Sequence, residues 1–163
     1  MQILLANAKI MFDKAERTPR SFPRFQTIAD ALATEMARMD VEDLAKQLNC
    51  STKIAAENWK RYHNFIAAEK MPAIFAYNGQ AYKHLKANTL SDKALDYAQQ
   101  HLWITCFLYG LLRPLDGIVP YRMEHCVTLE TTHDKPVNQF WKDYLTDLLI
   151  DSVKADDGVL IQL

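Results

Sequence analysis

The sequence lacks the features of secreted, zinc-binding and membrane proteins. Its 163 residues include only three cysteines, none of them in a CxxC pair: Cys50, Cys106 and Cys126. One cysteine is left over from any pairing, which argues for a reduced compartment and against a disulfide framework or a zinc module. The longest apolar run, around residues 103–112, is far shorter than a membrane span, and the apolar start at residues 2–6 is too short for a signal-peptide core. We therefore expect a cytoplasmic protein without a membrane segment.

An excess of either charge is also missing. The chain carries 19 Lys and Arg against 20 Asp and Glu, for a formal net charge of −1. Bulk charge therefore gives no indication of nucleic-acid binding, and any basic surface has to be local. What the sequence does have is apolar residues, 49% of the total, which is enough for one domain with a substantial core.

Hydrophobic spacing predicts an irregular mixture of strands and helices. The predicted strands cover residues 2–6, 73–77, 103–108, 123–129 and 159–163. The predicted helices cover residues 26–39, 41–49, 51–65, 80–86, 92–102 and 138–153. Regular βαβ alternation is absent, so we expect an α+β (mixed α/β) fold, with an irregular mixed sheet flanked by helices. Because an apolar strand is an unusual place for a chain to end, we expect a single domain over 1–163 that lacks its C-terminal part.

The segment from Leu108 to Glu124 is the most informative part of the chain. Two glycines and two prolines bend it. Four charged residues stand among side chains that otherwise have the character of a protein interior: Arg113, Asp116, Arg122 and Glu124. A buried charge without a partner costs several kcal/mol. This segment must therefore either form a satisfied network of ion pairs or line a polar site.

Two interpretations of these charges remain open. In the structural one, ion pairs lock a bent connection. In the functional one, the two guanidiniums and the hydroxyl of Tyr121 bind phosphate or carboxylate, as an enzyme or a small-anion-binding protein would. Lys9 follows the first strand and could join them, since strand C-termini commonly meet at one crevice. Acid–base chemistry by Asp116 or Glu124 would require a shifted pKa.

Several segments together resemble the YaaA family of bacterial peroxide-stress proteins. The strongest match combines Leu108-Tyr-Gly-Leu-Leu-Arg-Pro-Leu-Asp116 with Pro120-Tyr-Arg-Met-Glu124. Further matches are Ala98-Gln-Gln-His-Leu102, Ala8-Lys9, Tyr77-Asn-Gly79 followed by Tyr82 and Leu85, and Gln139-Phe-Trp141. The resemblance covers nearly all of this chain but only the first two thirds of a typical member. Departures from the family pattern mark a divergent member: Ala6, Asn7, Ile10, Trp103, Cys106, Phe107 and His125.

The resemblance implies a cytosolic protein that acts in peroxide stress and limits iron-dependent oxidative damage to DNA. It also implies a mixed α/β fold peculiar to the family and a DNA-binding activity attributed to a helix-hairpin-helix element. No enzymatic reaction is implied, and we expect no bound cofactor.

We place the helix-hairpin-helix element at the predicted helices 41–49 and 51–65, with Ser51 as the cap of the second. Such a motif directs backbone N–H groups at a helix N-terminus toward phosphates. Lys53, Lys60 and Arg61 outnumber Glu57 on the second helix, and we expect Lys9, Arg20 or Arg24 to assist. The hairpin nevertheless lacks glycines, and three acidic residues nearby would repel DNA: Asp40, Glu42 and Asp43. From the residues alone, a packed helical hairpin without DNA contacts is the other interpretation.

Metal and redox sites have weaker support. Four residues are of types that commonly bind metals: His101, Glu124, His125 and His133. Their spacing matches no recognisable metal-binding motif, so we predict no metal site. Cys50 precedes a helix N-terminus and Lys53, conditions that favour a thiolate, but no second cysteine stands nearby to resolve an oxidised form. The sequence does not indicate an oligomeric state.

Overall fold

Strand β1 (Gln2–Ala6) occupies an inner position of the main sheet. In this computed structural model, which describes residues 1–14 and 16–163, the four strands lie in the order β4-β3-β1-β6. They comprise β3 (Leu102–Cys106), β4 (Gly110–Leu112) and β6 (Leu160–Gln162) besides β1. Strand β1 is parallel to β3 and β6, while β4 returns antiparallel to β3. A second, small sheet pairs β2 (Met71–Pro72) with β5 (Gly117–Ile118). The predicted α+β fold with a mixed sheet is confirmed.

Seven α-helices surround these sheets in the part of the chain that the structure describes. They are α1 (Gln26–Ala37), α2 (Val41–Gln47), α3 (Thr52–His63), α4 (Ala73–Ala76), α5 (Gln80–Leu85), α6 (Asp92–His101) and α7 (Val137–Lys154). Side chains cap three of them, because Asp40, Ser51 and Ser91 accept bonds from the N–H groups of Asp43, Ile54 and Ala94. None of these helices is long and apolar enough to cross a membrane.

Helices α1, α2 and α3 form one packed group, with Leu32, Met36 and Leu44 fully buried. Helix α7 lies on the main sheet and is fastened through two indoles. The Nε1–H of Trp141 donates to the carbonyl oxygen of Phe107 at 2.7 Å, and that of Trp103 donates to the hydroxyl of Ser152 at 3.1 Å.

Two predicted strands are wrong. Residues 73–76 form helix α4 and Tyr77 forms an isolated bridge with Met11, so this stretch is not a strand; only Met71–Pro72 pair beforehand. Every residue from Ala73 to Tyr77 is buried, and a short apolar run without polar alternation does not distinguish a strand from a buried helical turn. Residues 123–129 form no strand: a turn at residues 125–126 is closed by the backbone N–H of Val127, which donates to the carbonyl oxygen of Glu124, and Thr128 forms only an isolated bridge with Pro136. The apolar side chains of this segment are buried one by one, without a ladder of strand pairs.

Candidate functional site

A small crevice opens at the C-terminal ends of the parallel strands β1 and β3. Its volume is about 110 Å³. The lining comes from residues just after the two strands and from the bent segment: Asn7, Ala8, Lys9, Phe107, Tyr121, Arg122 and Met123. Crevices beyond the carboxyl ends of parallel strands are common ligand sites in α/β sheets. The predicted meeting of Lys9 with the bent segment therefore takes place here.

The loop that carries Lys9 is fixed from both sides. The backbone N–H of Asn78 donates to the carbonyl oxygen of Ile10 at 2.8 Å. The hydroxyl of Tyr82 donates to the carbonyl oxygen of Ala6 at 2.9 Å. Gly79 allows the start of α5 to approach the loop, since a Cβ at this position would lie 2.7 Å from the Cβ of Ala8. These contacts hold the backbone before and after Lys9 and leave its side chain to reach the crevice.

Glu124 is buried between two cations. Its Oε2 atom lies 2.8 Å from the Nζ of Lys9, and its Oε1 atom lies 2.8 Å from the Nη2 of Arg122. Only 8% of the Glu124 side chain is exposed, against 19% for Arg122 and 64% for Lys9. The carboxylate is therefore neutralised in the interior, as the cost of an unpaired buried charge requires.

The pairing is incomplete at Arg122. Its Nε atom is buried without a hydrogen-bond partner among the described residues. Although Nη2 and Oε1 are close enough for an ion pair, their approach lacks hydrogen-bond alignment, so Oε1 is also left without one. Each unsatisfied buried group costs about 1–3 kcal/mol. The side chain of Arg122 therefore retains donor capacity that Glu124 does not use.

The hydroxyl of Tyr121 is committed to the protein interior. It lies 2.9 Å from the hydroxyl of Tyr77, and both side chains are buried. Burial, together with the neighbouring Cys106, raises the pKa of Tyr121 well above its ordinary value. Tyr121 is therefore a neutral phenol at physiological pH and serves the crevice as a wall.

Arg113 lies at the other end of the sheet. Its guanidinium stacks 3.3 Å from the ring centroid of Trp103 and donates to the carbonyl oxygen of Leu102 at 3.2 Å and to Gln2 at 3.4 Å. Burial lowers the pKa of Arg113 to about 10. Leu102 and Gln2 begin β3 and β1, so roughly 13 Å of strand separates them from the crevice. The two guanidiniums predicted to share one site are not brought together.

Asp116 fixes the bend without pairing with a guanidinium among the described residues. Its carboxylate accepts from the hydroxyl of Ser21 at 2.6 Å and from the backbone N–H of Arg113 at 2.8 Å. Burial raises the pKa of Asp116 above its ordinary value. The predicted six-residue polar site thus divides into a crevice group of four, Lys9, Tyr121, Arg122 and Glu124, and a structural pair, Arg113 and Asp116.

The predicted DNA-binding residues lie on the hairpin of α2 and α3. Ser51 caps α3, with its Oγ accepting from the N–H of Ile54 at 3.4 Å. Lys53 and Lys60 are exposed, and neither forms an ion pair within the described residues. Arg61 differs, since it pairs with Glu57 at 2.6 Å and with Asp13 at 2.9 Å. Of these predicted residues, Lys53 and Lys60 have no ion pair in the described part of the chain and can contact an external anion.

Other basic residues expected to assist DNA binding are dispersed. Lys9 pairs with Glu124, as described above. Arg20 pairs with Asp96 at 2.9 Å and Asp92 at 3.1 Å on α6. Arg24 is exposed.

The hairpin and the crevice are neighbours. The hydroxyl of Tyr62 on α3 donates to the backbone carbonyl of Arg122 at 2.5 Å. Burial raises the pKa of Cys50, in the turn of the hairpin, while Arg122 lowers it in part. The surroundings of Cys50 therefore do not favour a thiolate, because desolvation outweighs the opposing effect of Arg122. Among the described residues, no group of three or more His, Cys, Asp or Glu side chains could hold a metal ion.

Sequence reasoning missed several crevice residues. Asn7, Phe107 and Met123 line it, yet they carry no charge to draw attention. Their position was the available signal, since Asn7 and Phe107 directly follow strands that the hydrophobic pattern predicted.

Comparisons with known proteins agree with the residue-level resemblance. The family model described as "Peroxide stress protein YaaA" matches residues 1–163. A UPF0246 protein of Bacteroides fragilis is 41% identical over 167 residues, covering 100% of this chain and 65% of that relative. UPF0246 proteins of Bacteroides thetaiotaomicron and Crocosphaera subtropica are 38% and 34% identical, again over 100% of this chain. The chain spans about 65% of the length of the first of these curated relatives. From the match over its whole length, we conclude that the chain belongs to the YaaA family of peroxide stress proteins.

Proposed function

We propose that this chain binds DNA without sequence preference through the α2–α3 hairpin, in the service of a peroxide-stress response. The observation that carries the proposal is the free positive charge at the start of α3. Lys53 lies in the first turn, exposed and without an ion pair among the described residues, beside the backbone N–H groups of the helix N-terminus. This combination of amides and a cation suits a phosphate group.

The helix geometry supports the same surface. The first N–H groups of an α-helix have no partner within the helix, and Ser51 satisfies only that of Ile54. Lys60 follows Lys53 by seven residues, which is about two turns and returns to the same face. The two lysines therefore form a short basic row that begins at the helix N-terminus, with Glu57 between them paired to Arg61 at 2.6 Å.

The acidic residues of α2 weaken this surface only in part. Asp40 is used as the cap of α2, and Asp43 pairs with Lys46 at 2.8 Å. Asp40 and Glu42 also lie at the start of α2, while the turn of the hairpin follows its end. Their repulsion of a phosphate near Ser51 is therefore reduced by pairing and by distance.

The role in peroxide stress comes from the family. The family model carries the description "Peroxide stress protein YaaA", and the resemblance implies protection of DNA against iron-dependent oxidation. We extend both to this chain as parts of the proposal.

A charge-matched pair of double variants tests the placement. K53Q/K60Q removes the two free lysines of α3, and K93Q/K142Q removes two exposed lysines from α6 and α7. Fluorescence anisotropy with a labelled, bubble-containing duplex should show weaker binding for K53Q/K60Q by roughly tenfold or more at low salt. The control variant should bind within about twofold of the wild type. Equal losses in both variants would mean that general charge, and not the hairpin, holds DNA.

A further inference from the structure

We propose that the crevice at the ends of β1 and β3 binds the phosphate group of a small molecule, with Lys9 and Arg122 as its cationic contacts. This site uses different side chains from the DNA-binding surface, so it does not depend on the function proposed above. Its volume of about 110 Å³ is several times what one water molecule needs, so the crevice has room for a phosphate group.

The arrangement of charge favours an anion inside the crevice. Lys9 and Arg122 belong to the lining, whereas Glu124, which neutralises part of their charge, is not among the lining residues that the structure describes. The three side chains together carry one net positive charge. A ligand in the crevice thus contacts the two cations, while the carboxylate holds them in place from another side.

Arg122 has an unused donor for such a ligand. Its Nε–H is buried and lacks a hydrogen-bond partner among the described residues. Guanidinium groups present several donors in a planar fork that matches the oxygens of phosphate. An oxyanion that accepted from Nε after a small shift of the Arg122 side chain would relieve the desolvation cost that the free protein bears.

The remaining lining indicates a ligand with a carbon part. Ala8, Phe107 and Met123 present apolar walls, and Asn7 brings an amide that can donate. Apolar walls with a few convergent polar groups are typical of small-molecule sites. We therefore expect a phosphate monoester to bind at least as well as inorganic phosphate.

Isotope-labelled amide NMR provides the test, with inorganic phosphate and phenyl phosphate as separate probes at constant ionic strength. We expect saturable, one-to-one shift changes at Asn7, Ala8 and Phe107. K9Q should weaken binding several-fold, and R122Q/E124Q, which leaves no buried charge unpaired, should weaken it at least about tenfold. K93Q should bind within about twofold of the wild type.

The possible outcomes separate this proposal from DNA binding. K53Q/K60Q should keep full phosphate affinity, which would show that phosphate binds in the crevice and not at the DNA-binding surface. Absence of saturable shift changes, or equal affinity in wild type and R122Q/E124Q, would show that Lys9, Arg122 and Glu124 serve only as a structural lock. Should R122Q/E124Q fail to fold, K9Q decides alone, because the side chain of Lys9 is 64% exposed and its loss leaves the core intact.

Discussion

At the scale of single residues, Glu124 shows how one buried carboxylate organises its surroundings. It draws an exposed lysine and a largely buried arginine to the same point and so closes the bent segment onto the loop after β1. Its two ion pairs differ in their expected contribution to stability. The partner that remains mostly in solvent contributes little, while the partner that is largely buried depends on the carboxylate.

We predict that Glu124→Gln lowers the free energy of unfolding by about 3 kcal/mol, because Arg122 would lose its counter-charge in a largely buried position. Lys9→Gln, the control, should change it by no more than about 1 kcal/mol, since Lys9 is mostly exposed. Urea denaturation of the two variants measures both values. Similar losses would contradict the assignment of Arg122 as the partner that depends on Glu124.

Gly110 makes the contact between β4 and α7 sterically possible. Its φ of +74° belongs to the left-handed region, and a Cβ there would lie 2.8 Å from the ring of Trp141. We predict that Gly110→Ala destabilises the fold by about 2–4 kcal/mol, from backbone strain and the clash together. Gly158→Ala is the matched control, because Gly158 has a φ of +81° with nothing within 4 Å of a Cβ. It should lose only about 1 kcal/mol in the same denaturation experiment.

At the scale of elements, the helices and strands that could be predicted are those whose hydrophobic periodicity and capping residues lie within one continuous segment. Strand β1, helices α1, α3 and α7, and the caps at Ser51 and Ser91 follow from periodicity and capping residues within one segment. Residues 73–77 and 123–129 could not be assigned in this way. Their apolar side chains are buried by distant parts of the chain, and tertiary packing decided their conformation.

The candidate site divides for the same reason. The meeting of Lys9 with Arg122 could be predicted, because Lys9 follows the end of a strand and the end of a strand is visible in the local sequence. The separation of Arg113 from Arg122 depends on β4 pairing antiparallel with β3, which directs Arg113 back toward the start of β3. Pairing between strands is a long-range property that no short segment encodes.

The N-terminus and the segment after α7 are joined by Asp156. Its carboxylate lies 2.8 Å from the Met1 amino group and 3.0 Å from His101, and it accepts from Gln2 at 2.9 Å. These interactions, with the Met1 amino group first, lower the pKa of Asp156 to about 2. The link therefore connects β1 with α6 and with the approach to β6.

We predict that this carboxylate titrates at a pKa of about 2 in the folded protein, against an ordinary value of 3.8. A lowered folded-state pKa means that the contribution to stability is present above pH 3.8 and is lost as the pH falls from about 4 toward 2. Carbon-13 NMR titration of the Asp156 carboxyl measures the value directly. Asp156→Asn should remove part of the acid-induced loss of stability, and an unperturbed titration would contradict the proposed link.

At the scale of the whole molecule, two candidate surfaces stand side by side. The α2–α3 hairpin rests on the bent segment through Tyr62 and the carbonyl of Arg122, so the basic row of α3 and the crevice share a support. The formal net charge of −1 offers no general attraction for DNA. The proposed DNA binding therefore depends on the local cations that have no ion pair among the described residues, Lys53 and Lys60.

The central claim is that Lys53 and Lys60 contact DNA phosphates, and the salt dependence of binding tests it most directly. Each phosphate contact contributes about 0.9 to the slope of log affinity against log salt concentration on duplex DNA. We predict that the slope for K53Q/K60Q, measured by anisotropy, is smaller than that of the wild type by roughly 1.8. K93Q/K142Q should retain the wild-type slope. If K53Q/K60Q keeps both the slope and the affinity of the wild type, the hairpin does not hold DNA through these lysines.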